Sequence, residues 1–157
     1  MAMDRQGTGL SLLRVCIGVF FIFEAVGKFS WFADPSILAR QLDGWLHGVA
    51  AGSPSHIFLE RVAVPYAAVF ARLVPLGELS SGTALLVGFW TPLFAFIAFF
   101  MALNFQIASG AVARLSFLTS GYGLPVLGST LALAIGSQMK GQLRRPRATG
   151  AGLPRRP

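Results

Sequence analysis

The chain has 157 residues, of which 54% are hydrophobic and only 12% charged, and its formal net charge is +7. A water-soluble domain carries about 25% charged residues, so too few are present here to clothe a soluble surface, and the composition reads as one all-α integral membrane domain, with 14 phenylalanines suited to lipid contact. The excess positive charge does not point to nucleic acid, because it gathers behind the last apolar segment without aromatic interleaving.

In chain order, the first apolar segment covers residues 10–29 and carries Arg14, Cys16, Glu24 and Lys28. Its charges, and the lack of an A-x-A-like site after it, fit a retained segment rather than a cleaved signal. Cys16, the one cysteine, makes no C-x-x-C pair and reads as a small apolar core residue. Residues 30–65 form a loop with two short amphipathic helices. The first has Asp34 as cap, Pro35 in the first turn, and Ile37, Leu38, Leu42, Trp45, Leu46 and Val49 at helical spacing. The second starts at Ser53-Pro54. His47, His56 and Glu60 in this loop lack a metal-site spacing, and no metal is expected.

The second apolar segment covers residues 66–87 and holds Arg72, Pro75 and Glu78. Gly88 to Pro92 is a tight turn with Thr91 as expected N-cap and Pro92 as first helical residue. The third segment, residues 92–109, carries Asn104 and Gln106; the fourth covers residues 122–139, with Gly128, Ala132 and Gly136 spaced for close helix contact. Each segment has a spanning length and must be helical to satisfy its own backbone in lipid. Together they predict a four-helix membrane bundle, residues 1–139. The tail, residues 140–157, has six bases (Lys140, Arg144, Arg145, Arg147, Arg155, Arg156) and no acid. Its Gly, Pro and Arg content predicts disorder, and its charge puts both termini on the cytoplasmic side of the plasma (inner) membrane.

Charges within such segments seek partners, since a lone charge at the bilayer centre costs about 2.5–3.5 kcal/mol on insertion scales. Arg14, Glu24 and Lys28 share one side of the first helix, and Glu24 and Lys28 are in the favourable i,i+4 order. At 1.5 Å per residue, Glu24 and Arg72 both lie roughly 7–9 Å below the outer surface, so they are expected to meet. Asn104 has a similar depth; Gln106 points to nearly the opposite side of its helix, and Asn104 is the favoured pocket residue. Pro75 is expected to kink the second helix and free a carbonyl. The expected pocket contains Glu24, Lys28, Arg72, Glu78 and Asn104, against the alternative that these charges only lock the helices in register.

The second helix, "ARLVPLGELSSGTALLVGFWTPL", with Arg72, Pro75, Glu78, Gly82, Gly88 and Thr91, resembles the DoxX/DoxD family of small four-helix membrane proteins. The first helix, "LLRVCIGVFFIFEAVGKF", matches through Arg14, Gly18, Phe21, Gly27 and Lys28, as does "NFQIASG" at residues 104–110. Pro92 departs from relatives that carry an arginine there. The resemblance implies a subunit of a thiosulfate:quinone oxidoreductase or of another membrane redox complex. On that reading Glu24, Glu78 and Arg72 are the candidate catalytic residues, with Glu24 or Glu78 handling protons. Lys28, Asn104 and Arg14 are the candidate substrate-binding residues, and quinone is the expected cofactor, with no haem, flavin or iron–sulfur ligands evident. Expected partners are the lipid bilayer, a membrane or soluble partner subunit, or a second copy. The alternatives are a non-enzymatic membrane adaptor and a small solute or proton carrier.

Overall fold

The computed structural model describes residues 5–143, and these are helical with no strand among them. Four long helices dominate: α1 (Arg5–Gly27), α5 (Ala67–Val87), α6 (Thr91–Ala108) and α8 (Leu124–Leu143). They pack in a closed ring, α1 on α5, α5 on α6, α6 on α8 and α8 back on α1. Between α1 and α5 lie α2 (Ser30–Ala33), α3 (Ser36–Gly48) and α4 (Pro54–Phe58), the last continued by a π-helical turn, Leu59–Ala63. The 3₁₀ turn Ala111–Ala113 and α7 (Ser116–Thr119) join α6 to α8. The run Gly7–Ala33 and the helix Thr91–Ala108 are long and apolar enough to cross a membrane, and Leu124–Gly136 is a shorter apolar stretch. The fourth helix reaches Leu143, so the start of the expected disordered tail is helical; residues 144–157 lie outside the described residues.

The core divides in two. One cluster, with Ile17, Phe21, Leu85, Ala95, Ala98 and Leu133, fills the ring of long helices. The other, with Trp31, Leu38, Leu42, Leu59, Ala63 and Ala71, seats α2 to α4 on one end of the ring, called here the loop end. Leu38 and Leu42 are one turn apart and both buried, so α3 lies flat with its apolar face down. Ser53 caps α4 by accepting the His56 N–H at 3.2 Å, with Pro54 in the first turn, as the sequence indicates. Asp34 accepts the Ser36 N–H at 3.0 Å from one residue before the assigned cap, Pro35. The Ser36 hydroxyl and N–H together hold the Asp34 carboxyl below its ordinary range.

At the opposite, turn end, Gly88 closes α5 in the left-handed region (φ 79°). Trp90 is also left-handed (φ 40°), with its ring stacked on Phe89 at 5.6 Å, and α6 starts at Thr91, one residue earlier than expected. Thr91 therefore sits inside the helix and does not cap it.

The close backbone approach between two long helices is not made by α8. A Cβ on Gly82 would lie 2.8 Å from the Gly18 carbonyl oxygen and 2.9 Å from the Ile22 nitrogen, and one on Gly18 would lie 2.9 Å from the Gly82 carbonyl oxygen. These glycines let α1 and α5 touch backbone to backbone. The stripe expected to do this on α8 does not: Gly128 has no neighbour within 4 Å of a Cβ position, Ala132 is exposed, and Gly136 meets only the flexible end of Leu10.

Candidate functional site

The close α1–α5 contact at Gly18 and Gly82 brings the next polar residues toward the loop end within reach of each other. Lys28 lies just past the end of α1, where the chain tightens so that its N–H bonds to the Ala25 carbonyl at 3.0 Å. Its Nζ is 2.7 Å from Glu24 Oε2 and 2.8 and 2.9 Å from the two Glu78 oxygens. Glu78, from α5, is the most enclosed of the three, its side chain 5% exposed against 13% for Lys28 and 29% for Glu24. The Phe105 ring centre lies 5.5 Å from the ammonium and that of Trp31 5.9 Å, adding cation–π attraction on two sides. Two carboxylates thus share one ammonium, and the fully ionised cluster has one negative charge in excess.

This cluster lines a cavity of about 380 Å³ between the two cores. Its apolar walls are Phe20, Phe21, Trp45, Phe105 and Val126; its polar ones add Gln41, Gln106, Ser109 and Tyr122. Tyr122 donates its O–H to Glu24 Oε1 at 3.2 Å, and Gln106 donates to the Tyr122 carbonyl at 2.8 Å. A chain of contacts therefore runs from α6 through Tyr122 to α1 and on to α5. The volume is within the roughly 300–1,000 Å³ typical of small-molecule sites, as is the lining of aromatics with a few convergent polar groups.

Glu24, Lys28 and Glu78 are brought together; Arg72, Asn104 and Arg14 are not. Arg72 is exposed and bonds back to the Ala68 carbonyl of its own helix at 3.1 Å, so the expected Glu24–Arg72 pair is replaced by Glu24–Lys28–Glu78. Six residues separate Arg72 from Glu78, about 120° around the helix at about 100° per residue. With Glu78 turned inward, Arg72 faces out. Asn104 and Gln106 are resolved the other way from expectation: Gln106 is buried against the cavity, and Asn104 lines two apolar spaces beside it. Arg14 lies toward the turn end, its guanidinium packed over Gly88 and its buried Nε without a hydrogen-bond partner among the described residues. Pro75 is buried, yet α5 runs unbroken through it.

Gln106 and Tyr122 are the residues the sequence reading missed as site members. Gln106 had a signal, as one of two amides on a helix otherwise apolar. Tyr122 had none beyond its place at a helix start. Cys16 is exposed and not the core residue expected, because it lies on the outward side of α1; among the described residues no group of three or more His, Cys, Asp or Glu could hold a metal ion, and His47 sits by Asp43 and His56 by Glu60.

Residues 9–109 match the family model DoxX. The chain belongs to the DoxX family. The matched stretch contains Glu24, Lys28, Glu78 and Gln106, so the charged core of the cavity lies within the DoxX region. Tyr122 and Val126, which close the cavity from the α8 side, lie beyond it. No curated protein and no solved structure matches this DoxX chain.

Proposed function

We propose that this DoxX protein is a quinone-linked oxidoreductase subunit of the plasma membrane, and that the cavity around Lys28 receives the quinone head group. The observation that carries the reading is Lys28 Nζ within 2.7–2.9 Å of both Glu24 and Glu78 in an aromatic-walled cavity of about 380 Å³. When bound, a quinone supplies an acceptor for two electrons and two protons, which balances the joining of two thiosulfate ions through a new S–S bond with release of two electrons. Glu24 and Glu78 are the groups placed at the cavity wall to pass protons to and from the surroundings. Lys28 keeps the two acids at hydrogen-bond distance from a common point. The Tyr122 O–H holds Glu24 at the cavity wall.

The sulfur anion is oxidised elsewhere. Lys28 is already neutralised by two carboxylates and Arg72 faces away, so this cavity repels an anion. A partner subunit, thiosulfate-oxidising or acting on a similar small sulfur compound, delivers the electrons. The bundle crosses the membrane four times with both termini cytoplasmic, a topology supported by the six bases after residue 139 and the net acidic loop between α1 and α5.

A second reading, a non-enzymatic adaptor, draws on the same bridge, since Lys28 joins α1 to α5 and fixes their register. Titration of the purified protein in lipid vesicles with a decyl-tailed benzoquinone, followed by quenching of tryptophan emission, separates the two. Trp45 lines the cavity and reports on it. Saturable quenching that weakens at least tenfold in Glu78→Gln and is unchanged in Arg72→Gln supports the quinone site. Absence of saturable quenching in wild type that is folded by circular dichroism overturns it and favours the adaptor.

A further inference from the structure

A second space of about 380 Å³ opens between α5 and α6. Leu73, Phe96 and Phe100 on its rim are exposed, so it opens sideways, toward the hydrocarbon of a surrounding bilayer. Its walls are apolar apart from Asn104, whose amide makes no hydrogen bond among the described residues. An amide facing hydrocarbon without a partner is unfavourable, and its presence calls for a visitor with a hydrogen-bonding group.

Phe105 is the wall between this groove and the charged cavity. Its ring lines both, and it also lines a small void of about 20 Å³ beneath α3. It packs edge-on to Trp45 with ring centres 6.0 Å apart, and its ring centre lies 5.5 Å from the Lys28 ammonium. Phe105 is the residue the two spaces share, so its side chain is the partition whose rotation would join the groove to the cavity. From the loop end the cavity is roofed by α3, through Gln41 and Trp45.

We propose that the α5–α6 groove is the lateral membrane entrance of the cavity. It holds the hydrocarbon tail of a lipophilic quinone, Phe105 is the gate, and Asn104 is the hydrogen-bonding stop for the polar head on its way in. This rests on the reading of the charged cavity as a quinone site. A quinone fits where a phospholipid or a second copy of the chain does not: its head is flat, uncharged and hydrogen-bond accepting, which suits the Asn104 amide, and its tail is apolar, which suits the groove.

The test uses an azido-benzoquinone with a decyl tail, photolysed on the full chain in phosphatidylcholine vesicles, with labelled peptides mapped by mass spectrometry. Label displaced by excess unlabelled quinone is expected on both α6 around residues 96–105 and the cavity segments. Leu73→Trp fills the groove without touching the cavity and should cut cavity labelling at least fivefold. Phe105→Leu, which removes the gate, should speed it by a similar factor. Competable cavity label that is unchanged in both folded variants overturns the portal and leaves the quinone site standing. No competable label anywhere overturns both. A dimer in native mass spectrometry that Leu73→Trp converts to monomer, with the groove unlabelled, assigns the groove to a second copy and overturns the portal.

Discussion

Lys28 Nζ and Glu78 Oε1 meet at 2.8 Å across the α1–α5 interface, 50 positions apart in the chain. The contact ties a residue at the end of α1 to the buried face of α5, and it sits between the two cores. Removing Lys28 leaves enclosed charge without its counterpart, which is strongly destabilising in buried pairs, about 3–5 kcal/mol. Lys28→Met should be the worse single change, because it strands two carboxylates, whereas Glu78→Gln leaves Lys28 paired with Glu24. The triple replacement Lys28→Met, Glu24→Gln, Glu78→Leu should recover much of the loss of Lys28→Met. Thermal unfolding in mild detergent, read by circular dichroism, gives the order; a triple variant less stable than Lys28→Met alone would refute this account of the cluster.

The Gly18–Gly82 approach makes a second prediction. A Cβ on Gly82 would meet backbone atoms of Gly18 and Ile22 under 3.0 Å, and backbone cannot swing aside. Gly82→Ala should force α1 and α5 apart and cost about 1–3 kcal/mol, the range for overpacking. It should also weaken the Lys28–Glu78 contact and with it quinone quenching. Gly128→Ala, with nothing within 4 Å, should stay within about 0.5 kcal/mol of wild type. Equal midpoints for the two variants in thermal unfolding would contradict the packing described.

Arg14 and Gly88 make a third. Gly88 has φ 79°, and a Cβ there would collide with the Arg14 guanidinium. Gly88→Ala should therefore cost about 1–2 kcal/mol for the left-handed backbone, and more for the displaced arginine. Because both effects meet at one place, the double variant Gly88→Ala, Arg14→Met should lose less than the sum of the singles. A double-mutant cycle that is strictly additive would separate the two residues.

Much of this architecture is legible in the sequence. The long helices follow from apolar runs and from Gly and Pro punctuation, the Ser53-Pro54 start from capping chemistry, and the Glu24–Lys28 pair from its i,i+4 spacing. What failed was azimuth. Depth along a helix axis placed Arg72 level with Glu24, but level residues meet only if their helices turn them toward each other, and α5 gives that side to Glu78. The same uncertainty chose Asn104 over Gln106: two amides about 160° apart cannot share a pocket, and only the packing of α6 on α8 and α5 says which one enters. The α8 stripe of small residues carried no partner information, so its pattern could not distinguish a contact from a free face. Trp90 was invisible for a different reason, since a left-handed tryptophan is dictated by the tight turn and not by its own preference.

The Asn104 and Gln106 assignments are open to a direct comparison of stability. Gln106 is buried and donates at 2.8 Å to the Tyr122 carbonyl, so Gln106→Leu leaves that carbonyl short of its donor and loosens the junction of α6 with α8. A loss of about 1–3 kcal/mol is expected, the cost of an unsatisfied buried polar group. Tyr122→Phe removes only an O–H on the exposed side of the cavity and should cost about 0.5–1.5 kcal/mol, the net value of one ordinary hydrogen bond. Asn104→Leu replaces an unpartnered amide in an apolar groove and should raise the unfolding midpoint or leave it unchanged. Thermal unfolding of the three variants under one set of conditions gives the ranking, and an Asn104→Leu protein less stable than Gln106→Leu would reverse the assignment of the two faces of α6.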